Sequence, residues 1–451
     1  MKFFIEEVDT ELDAFDIYSL FKEDKTVSFL DSGMNFNNLG RYSLIGINSF
    51  MNFKYANNKC FIDEKLMEDR DPFKVIKELM SRYSIKNTTD LPYVSGAIGY
   101  FSYDLGRNIE NIPEIALDEI KMPDIYLYFY DNTVIIDNLQ NKTFITALGI
   151  MKDPQKSIRE IKDRIAWGNK VTYSISQGKS RDFLSNFTRD NYLNSIDKIK
   201  KYIENGDIYI ANLTQNFFCE TDKNPYEIYK HLRYINPAPF AAFLNVENFS
   251  IISSSPERFL KIENGLVETR PIKGTRPRGK NSSEDLKNAK ELIESEKDKS
   301  ELLMIVDLER NDLSKVCRAD SVKVTELFKL EKYSTVFHLV STVTGKLKKE
   351  FTSVDCLKSC FPGGSITGAP KIRAMEIIEE LEPTRRNIYT GAIGYLGFDG
   401  NMDLNIAIRT IVMKGKNAYF GVGGGITWES INEDEYEETL DKARALMKCL
   451  S

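Results

Sequence analysis

Histidine is almost missing from this chain, which has His231 and His338 alone among its 451 residues. A histidine-rich site for a transition metal is therefore not expected. A Ser-His-Asp or Cys-His hydrolase would have to use one of these two residues, and the G-x-S-x-G turn of many hydrolases is missing as well. Carboxylates are abundant, with 67 aspartates and glutamates, and they suit a hard cation such as Mg²⁺.

Cysteine, long apolar runs and excess positive charge are also lacking. The six cysteines have no C-x-x-C spacing and are too sparse for a disulfide scaffold. No apolar run is long enough to span a bilayer, and the start of the chain becomes acidic at once, unlike a signal peptide. The net charge is −6, which gives no reason to expect a nucleic-acid partner. We therefore expect a soluble, cytoplasmic protein with no membrane or nucleic-acid partner.

The chain is long enough for two to four domains or for one large interleaved domain. Short aromatic and β-branched runs dominate residues 1 to about 165, with helical patterns near 72–83 and 155–167. Residues 168–181 are rich in Ser, Gly and Lys and indicate a linker or mobile loop. An amphipathic helix capped by Thr188 or Asp190 then opens the second half.

The second half predicts strands and helices in an irregular order. We expect strands over 208–213, 240–244, 250–254, 259–262 and 336–345, a strand pair within 391–412, and helices over 283–312, 370–381 and from about 432. Because this order is not a regular βαβ alternation, it favours an α+β fold over a doubly wound sheet.

The stretch Glu268–Gly279 combines two prolines and two glycines with three arginines around one lysine. Proline and glycine predict a loop here, rather than a helix or a central strand. Like charges and burial both lower the pKa of an amine, and a neutral amine is a nucleophile. The stretch is therefore either an anion-binding loop with Lys273 as nucleophile or, as in most proteins, a solvated basic surface loop.

Carboxylates recur at positions that suit acid–base or metal chemistry. Glu257 follows a predicted strand end, where a carboxylate with a raised pKa could act as a general acid or base. Asp298 and Glu301 share one helix face, as do Glu435 and Glu438 on the last helix. Two such pairs could clamp one Mg²⁺, with waters completing its octahedron. The alternative is an ordinary solvated carboxylate, which is the commoner case for any one pair.

Two glycine-rich segments resemble nucleotide motifs only in part. In 361–371, Ala369 and Pro370 stand where a P-loop needs Lys-Ser/Thr, although a helix starting at Pro370 would favour an anion at its N-terminus. Gly421–Gly425 lacks the third glycine of a dinucleotide fingerprint. It predicts either a hairpin turn or a backbone that approaches a carboxylate closely.

Arg409 and His338 both lie in apolar segments predicted as strands. A charge in such a strand is costly unless it is paired, so Arg409 should meet either a ligand carboxylate or an internal one. A buried structural histidine is the default for His338. Together with Lys273 and the carboxylates, these residues describe an enzyme that acts on a small polyanion.

Several of these segments together resemble the chorismate-utilising enzymes. That family includes the large subunits of anthranilate and aminodeoxychorismate synthases and the isochorismate and salicylate synthases. The resemblance is dense from about Asp190 to the C-terminus. It rests on Ser253–Arg258, Pro271–Gly279, Met304–Leu313, His338–Gly345, Phe361–Lys371 and Gly421–Ile426, with Leu30–Gly33 and Leu39–Gly46 in the N-terminal region.

The resemblance implies large, mostly antiparallel β-sheets packed face to face with helices outside, a four-layer α/β/β/α sandwich. It also implies an N-terminal region, 1–185, interleaved with the core, and a chorismate-binding catalytic region, 186–451. In some relatives the N-terminal region binds tryptophan. Ser32, Asn236 and Pro237 fall where such a site would lie, and the sequence leaves open whether this chain keeps it.

Within the family, one position distinguishes the reactions. Anthranilate synthases carry alanine at the position of Lys273, whereas aminodeoxychorismate synthases carry lysine, and Asn212–Gln215 also resembles the latter. Isochorismate and salicylate synthases place a water-activating lysine at the position of Ile210, so water is not the expected nucleophile. Aminodeoxychorismate synthases often have glutamine there, and Ile210 is a departure. The resemblance thus implies amination of chorismate, with anthranilate synthase component I as the alternative.

The resemblance also implies roles for the candidate residues. Mg²⁺ held by Glu301 and Glu438, with Asp298 and Glu435 holding its waters, would bind the ring carboxylate of chorismate. The enolpyruvyl carboxylate would meet Arg409, Tyr389, Gly423, Gly424 and Gly425, and the further pocket positions are Thr269, Thr367 and His338.

In the implied reaction, Lys273 adds at C2 of chorismate as the C4 hydroxyl leaves with a proton from Glu257. Ammonia then adds at C4 and expels the lysine. The product, 4-amino-4-deoxychorismate, keeps its enolpyruvyl group and serves p-aminobenzoate and folate synthesis. Neither histidine lies in a glutaminase context, so the resemblance implies a separate glutaminase subunit. A non-catalytic binder of a chorismate-like ligand is the alternative from another class, and the presence of Lys273, Glu257 and four carboxylates argues against it.

Overall fold

The computed structural model of the protein describes residues 1–33, 39–68, 70–173, 181–333 and 336–451. Its helices are α1 (Ala14–Phe21), α2 (Pro72–Arg82), α3 (Pro154–Ala166), α4 (Arg189–Glu204), α5 (Pro225–Ile235), α6 (Ser282–Glu294), α7 (Glu296–Val316), α8 (Ser353–Cys360), α9 (Lys371–Leu381) and α10 (Asn432–Leu450). Short 3₁₀ turns cover Tyr103–Asn108, Ala319–Ser321 and Gly364–Ile366.

The strands of the first half are short except for two. They are β1 (Phe4–Val8), β2 (Ser28–Asp31), β3 (Tyr42–Ala56), β4 (Lys59–Ile62), β5 (Lys65–Met67), β6 (Gly96–Phe101), β7 (Ile125–Asp137), β8 (Lys142–Ala147) and β9 (Leu184–Ser185). Those of the second half are β10 (Ile210–Glu220), β11 (Phe240–Val246), β12 (Phe249–Ser255), β13 (Arg258–Glu263), β14 (Leu266–Thr269), β15 (Ile272–Pro277), β16 (Lys323–Lys332), β17 (Val336–Lys346), β18 (Gly368–Ala369), β19 (Ala392–Gly397), β20 (Met402–Asn405), β21 (Thr410–Lys414) and β22 (Asn417–Ile426).

These strands pair in antiparallel fashion and form two layers. The first layer runs in the order β1-β8-β7-β3-β2-β11-β12-β21-β22-β10. The second runs β4-β3-β7-β6-β19-β20-β13-β14-β17-β16, with β15 end to end with β14 along the same edge of β17. The long strands β3 and β7 take part in both layers, and a bulge between Ser49 and Met51 marks the bend between them.

The alternation of side chains along each strand places the core between the layers. In β11, Ala242 and Leu244 belong to that central core, whereas Phe243 faces a second core built with α1, α3, α5 and α10. Helices α2, α7 and α8 cover the second layer. The expected α+β sandwich with helices outside is therefore confirmed. Within the ranges that the structure describes, no helix combines the length and apolar composition needed to cross a bilayer.

Strands from before residue 186 lie between strands from after it. β2 is hydrogen-bonded to β3 on one side and to β11 on the other, and β6 pairs with both β7 and β19. The division of the chain at 185/186 into two regions stays a prediction. The pairing means that the two segments share their sheets.

The expectation of a loop over 268–279 is wrong. β15 pairs with β17, and a bulge between Lys273 and Thr275 lies at Gly274, whose φ is 72°. In the described part of the chain β15 has β17 as its one strand partner. Proline is tolerated in such an edge strand because it need not donate to a second ladder, which explains Pro277 at the end of β15.

Three other expectations are wrong in detail. The single helix expected over 283–312 is α6 and α7, separated by Ser295 in an extended conformation. The glycines at 421–425 form no hairpin turn but lie inside β22. Arg409 lies at φ 50° in the turn before β21 rather than in a strand. Of the loop expected over 168–181, residues 174–180 lie outside the described residues.

Candidate active site

Lys273 reaches from β15 to the glycine-rich end of β22. A β-carbon built at Gly425 would lie 3.1 Å from Lys273 Nζ, 3.0 Å from Ile210 Cδ1 and 3.3 Å from Asn212 Oδ1. Any side chain at 425 would therefore press on the amine. Ile210 forms an apolar wall at this point of the site, and it supplies no base to activate water.

The first turns of α7 and α10 bring carboxylates around the same amine. Burial raises the pKa of the Glu301 carboxyl, and the nearby charge of Lys273 opposes that rise. Glu435 and Asp298 lie close enough to raise the pKa of Glu301 further. Carboxylates crowded into a partly buried site repel one another unless a cation lies among them. The two helices therefore form a pocket that favours the binding of a cation.

Lysines supply part of that positive charge. Lys297 Nζ lies 3.4 Å from Glu435 Oε1 and links α7 to α10. Lys442 Nζ lies 2.6 Å from Glu438 Oε1 on α10, and its charge is the main cause of the lowered pKa of Glu438. Lys273 lowers the pKa of Glu438 as well. Three ammonium groups therefore share this cluster with its carboxylates.

The carboxylate cluster has the chemistry of a Mg²⁺ site but not a closed cage. In the portion of the chain that the structure describes, no three carboxylate, histidine or cysteine groups converge closely enough to hold a metal ion. Asp298 is engaged by Arg276, with 3.1 Å between Oδ2 and Nη2. Oxygen-only donors with crowded negative charge suit Mg²⁺, which keeps several waters and needs few protein ligands. The residues present therefore fit that ion.

Glu257 lies beside the amine, between β12 and β13, and is 6% exposed. Burial raises the pKa of its carboxyl to about 7, while a hydrogen bond from the Ser365 side chain and the charge of Lys273 act in the opposite direction. A carboxyl with a pKa near 7 can both hold and release a proton at neutral pH. The structure thus brings together the amine and the acid that the sequence singled out.

Arg409 faces the site from the turn before β21. Its Nη1 lies 3.4 Å from Asn236 Oδ1, and burial lowers the pKa of the guanidinium. Among the described residues Arg409 forms no ion pair. Of the two partners expected from the sequence, the internal carboxylate is therefore not found among these residues. A partly buried guanidinium without an anion is costly, and a ligand carboxylate would relieve that cost.

His338 lies on β17 and is uncharged. Its Nδ1 is 3.0 Å from Thr275 Oγ1. Burial and the charge of Arg409 lower its pKa to about 3. Its Nε2 is buried and has no hydrogen-bond partner among the described residues. The expectation of a purely structural histidine therefore accounts for only one of its ring nitrogens. The other, Nε2, is free to bind a ligand.

Thr269 and Thr367 are both buried at the ends of short strands. Thr269 Oγ1 lies 3.5 Å from Glu309 Oε2. Thr367 Oγ1 donates to Gly363 O at 3.0 Å. Glu309 on α7 also accepts the amide of Gly364 at 3.1 Å, so the two threonines lie on either side of the same buried glutamate and turn.

Tyr389 and the β22 glycines form the opposite wall. The ring of Tyr389 packs so closely on Gly421 that a side chain at 421 would overlap it. Gly423 and Gly424 pair with β10, whereas the pairing of β22 with β21 ends at Phe420. The edge of residues 421–426 that faces away from β10 is therefore not covered by β21, which is the condition for an anion nest.

The three arginines of the 268–279 stretch are all paired with carboxylates. The partners are Glu331 for Arg270 at 2.6 Å, Asp298 for Arg276 at 3.1 Å and Asp285 for Arg278 at 2.7 Å. The stretch is thus anchored to α6, α7 and β16 rather than freely solvated. Because these arginines are engaged by carboxylates of the protein itself, we do not assign them to the binding of a ligand anion.

Sequence reasoning missed Lys297, Lys442, Ser365 and Glu309. The spacing of Lys442 four residues after Glu438 on one helix face was a usable signal. No signal distinguished Lys297 from any other lysine on a charged helix. Ser365 and Glu309 became visible only once the fold placed them next to Glu257.

A cavity of about 290 Å³ lies beside Ser32. Its lining includes Pro239, Phe240 and the buried Arg258. Asn236 and Pro237 are not part of that lining, and Asn236 contacts Arg409 instead. The structure therefore places Ser32, but not Asn236 or Pro237, on a cavity that could receive an amino acid, and the tryptophan site stays a proposal.

The family described as chorismate binding enzyme matches residues 26–448. The anthranilate synthase component 1 of Acetivibrio thermocellus is 38% identical over 453 residues, covering 96% of this chain and 92% of that protein. The aminodeoxychorismate synthase component 1 of Escherichia coli is 43% identical over 384 residues, covering 84% of this chain and 83% of that protein.

A solved structure gives the same result for the fold. The crystal structure of anthranilate synthase component I from Streptococcus pneumoniae matches with a TM-score of 0.81 at 33% identity, covering 90% of this chain and 92% of that one. These similarities extend over nearly the whole chain and divide between two kinds of synthase.

Proposed function

The chain belongs to the chorismate-binding enzyme family, and we propose that within this family it is the large subunit of an aminodeoxychorismate synthase. The observation that carries the proposal is the position of Lys273 Nζ, against Gly425 and within electrostatic reach of the acid Glu257. A lysine at this point opens a covalent route to amination that an alanine there would not.

In the proposed reaction the Lys273 side chain first releases its ammonium proton to solvent, and the amine then forms a bond to C2 of chorismate. The ring double bonds shift and the C4–O bond breaks, so that the hydroxyl leaves as water with the proton of Glu257. Ammonia then forms the C4–N bond while the C2–Nζ bond breaks and the double bonds return. Lys273 Nζ loses a proton when it attacks, and this proton returns Glu257 to its acid form. The attacking ammonia likewise loses a proton, which goes to Nζ of the departing lysine.

The rest of the site would hold and orient the substrate. Arg409 would pair with the enolpyruvyl carboxylate, supported by Tyr389 and the free edge of Gly423, Gly424 and Gly425. The orphan Nε2 of His338 would meet a substrate oxygen in the same region, close to Thr269 and Thr367. The contacts to Arg409 and to His338 Nε2 would satisfy groups that the described residues leave without an anion or without a hydrogen-bond partner.

Glu301 and Glu438 would hold Mg²⁺, with Asp298 and Glu435 holding its waters. The ion would supply the positive charge that the ring carboxylate of chorismate needs beside this acidic cluster.

Ammonia would come from a separate glutaminase subunit, which would make the working enzyme a heterodimer in p-aminobenzoate and folate synthesis. The relatives named component 1 support this arrangement. With glutamine as the sole nitrogen source, the chain alone should leave chorismate unchanged. Rapid turnover of glutamine by the purified chain would contradict the need for a partner.

The product identifies the reaction. We expect purified protein with chorismate, Mg²⁺ and ammonium to form 4-amino-4-deoxychorismate, detected by mass and by conversion to p-aminobenzoate with added lyase. Anthranilate fluorescence in the absence of any second enzyme would show the alternative, anthranilate synthase component I, to which the chain is also similar.

Replacing the nucleophile tests the covalent step. With chorismate and no ammonia, wild-type protein should carry a mass adduct on Lys273, and Lys273→Ala should lack it and turn over about 10²-fold more slowly or worse. Lys290→Ala, at an exposed position on α6, is the matched control and should behave as wild type. Undiminished turnover by Lys273→Ala would remove the lysine from the mechanism.

A further inference from the structure

Glu309 is a buried carboxylate that the proposed reaction does not use. It lies on α7, two turns beyond Glu301, and is 2% exposed. Its Oε1 accepts the amide of Gly364 at 3.1 Å, and its Oε2 lies 3.5 Å from Thr269 Oγ1. A β-carbon built at Gly364 would lie 3.0 Å from Glu309 Oε1, so only glycine lets the turn approach this closely.

The turn that Glu309 holds also carries the hydrogen bond to the catalytic acid. Ser365 follows Gly364 in the 3₁₀ turn Gly364–Ile366, and its side chain is hydrogen-bonded to Glu257. One short turn therefore joins two buried glutamates, through a backbone amide on one side and a serine hydroxyl on the other. A displacement of the turn at Gly364 would move the serine away from Glu257.

The charged groups around Glu309 leave it without a cation of its own. They are Asp312 on the same helix, Lys371 at the start of α9, and Glu257. Lys371 is ion-paired with Asp312 and donates to the carbonyls of Cys360 and Pro362, both at 2.8 Å. Among the described residues no ion pair to Glu309 forms. Its carboxyl group therefore has no ion-pair partner of its own behind the acid.

Two buried carboxyl groups so arranged resist simultaneous ionisation. Burial raises the pKa of Glu309 to about 7, and the charges of Asp312 and Glu257 add to the rise while Lys371 opposes it. Ionisation of one of these two carboxyl groups therefore disfavours ionisation of the other.

We propose that Glu309 is a positioning residue for Glu257, fixing the Gly364–Ser365 turn so that the serine hydroxyl reaches the acid and placing a second ionisable carboxyl group behind it. The inference rests on the proposed function through the role of Glu257 as the proton donor. Glu309 itself touches no reacting atom.

Two substitutions separate the charge from the hydrogen bond. Glu309→Gln keeps an acceptor for the Gly364 amide and removes the charge, so Glu257 should lose its proton at lower pH. Ser365→Ala removes a hydrogen bond that favours the ionised form of Glu257, so this acid should lose its proton at higher pH. Glu379→Gln is the matched control, because Glu379 is a buried glutamate on α9 that accepts the amides of Ile115 and Ala116 away from the site.

The measurement is chorismate consumption by the full chain at saturating chorismate and Mg²⁺, with free ammonia held constant, across the neutral and mildly alkaline range. In the wild type kcat should fall as pH rises and Glu257 ionises. In Glu309→Gln this fall should move to lower pH by about 0.5 unit or more, with KM for chorismate changed less than about threefold. In Ser365→Ala it should move the opposite way, and in Glu379→Gln it should stay in place.

The opposite shifts make the outcome decisive. A folded Glu309→Gln protein whose profile coincides with wild type would overturn the proposal, and so would shifts of the same sign in both variants. If Glu309→Gln failed to fold, Gly364→Ala would test the link instead, because a β-carbon 3.0 Å from Glu309 Oε1 must displace the turn while leaving both glutamates in place. Its profile should then move in the same direction as that of Ser365→Ala, and a profile that coincides with wild type would overturn the proposal. Consumption of chorismate is measured whatever the product, so an anthranilate product would defeat the proposed function and leave the test of Glu309 intact.

Discussion

The position of the Lys273 amine depends on the absence of a side chain at residue 425. A β-carbon at Gly425 in β22 would lie 3.1 Å from Nζ, and the space that it would need is bounded by Lys273, Ile210 and Asn212. Glycine here has nothing to do with a turn, since the residue lies in a paired strand. At the residue scale, the shape of the site therefore depends on the absence of a side chain at this position of β22.

We expect Gly425→Ala to lower kcat by about 10- to 100-fold, because a β-carbon 3.1 Å from Nζ must push the amine off its position. The loss of stability should be small, about 1 kcal/mol or less, since the long lysine can move. Gly424→Ala should cost less activity, because its nearest atom, Glu435 Oε2, would be 3.4 Å away. Steady-state kinetics and thermal unfolding of both variants check this, and equal losses would contradict it.

His338 should make stability depend on pH. Its folded pKa of about 3 lies below the unfolded value of about 6.5. Between these values the unfolded chain binds more protons than the folded one, so stability falls as pH falls below about 6.5. The contribution of His338 to the free energy of unfolding should drop by about 2 kcal/mol at about pH 5.

Denaturant unfolding at neutral and mildly acidic pH measures this. His338→Asn should remove about that much of the pH dependence, while His231→Asn, at a partly exposed position, should remove less. Glu257 and Glu309 have raised pKa values, so their effect has the opposite sign, but it is common to all three proteins. An unchanged pH dependence in His338→Asn would contradict the neutral, buried state.

Two of the residues that sequence reasoning identified looked wrong for their surroundings. Lys273 among arginines and Arg409 in an apolar segment each carry a cost that the proposed function would explain. Lys297 could not be found in this way, because a lysine on a charged helix is what solvent exposure alone would produce. Its role follows from the distance between α7 and α10, which no local pattern contains.

At the scale of elements, Ser295 decides how the acidic helix is built. It ends α6 and begins α7, and its side chain accepts the amide of Asp298 at 3.2 Å. The charged residues on both sides fit one continuous helix equally well, which is why the break was missed. The register of Asp298 and Glu301 toward the site is set by this cap rather than by helix propensity.

We expect Ser295→Ala to destabilise the protein by about 1 kcal/mol and to lower the apparent affinity for Mg²⁺, because the first two turns of α7 carry Asp298 and Glu301 of the proposed site. Thr188→Ala is the matched control. Thr188 caps α4 by accepting the amide of Asn191 at 3.2 Å, away from the site. Its loss should cost similar stability and leave the Mg²⁺ dependence of activity unchanged. Equal Mg²⁺ titrations for both variants would contradict the link.

At the scale of the whole molecule, the fold class could be read from the order of elements, but the strand neighbours could not. Nothing in the local pattern of β2 or β6 indicates that their partners lie in β11 and β19, because pairing between distant strands is settled by the shared core. The same reason hid the alignment of β14 and β15 along β17.

The interleaved sheets predict that the chain cannot be divided. Separately expressed fragments 1–185 and 186–451 should each lack cooperative unfolding, because β2 and β6 would lose β11 and β19. Mixing the fragments should restore it. A fragment 186–451 that folds and binds chorismate alone would contradict this, and calorimetry of each fragment and of the mixture decides the matter.

The pairing of β6 with β19 also has a consequence during synthesis. β6 ends at Phe101 and β19 begins at Ala392, so nearly 300 residues must leave the ribosome before one edge of β6 finds its partner. An exposed, apolar strand edge invites association with other chains, and such long-range pairing slows folding. The nascent chain therefore has to be sheltered until it is almost complete.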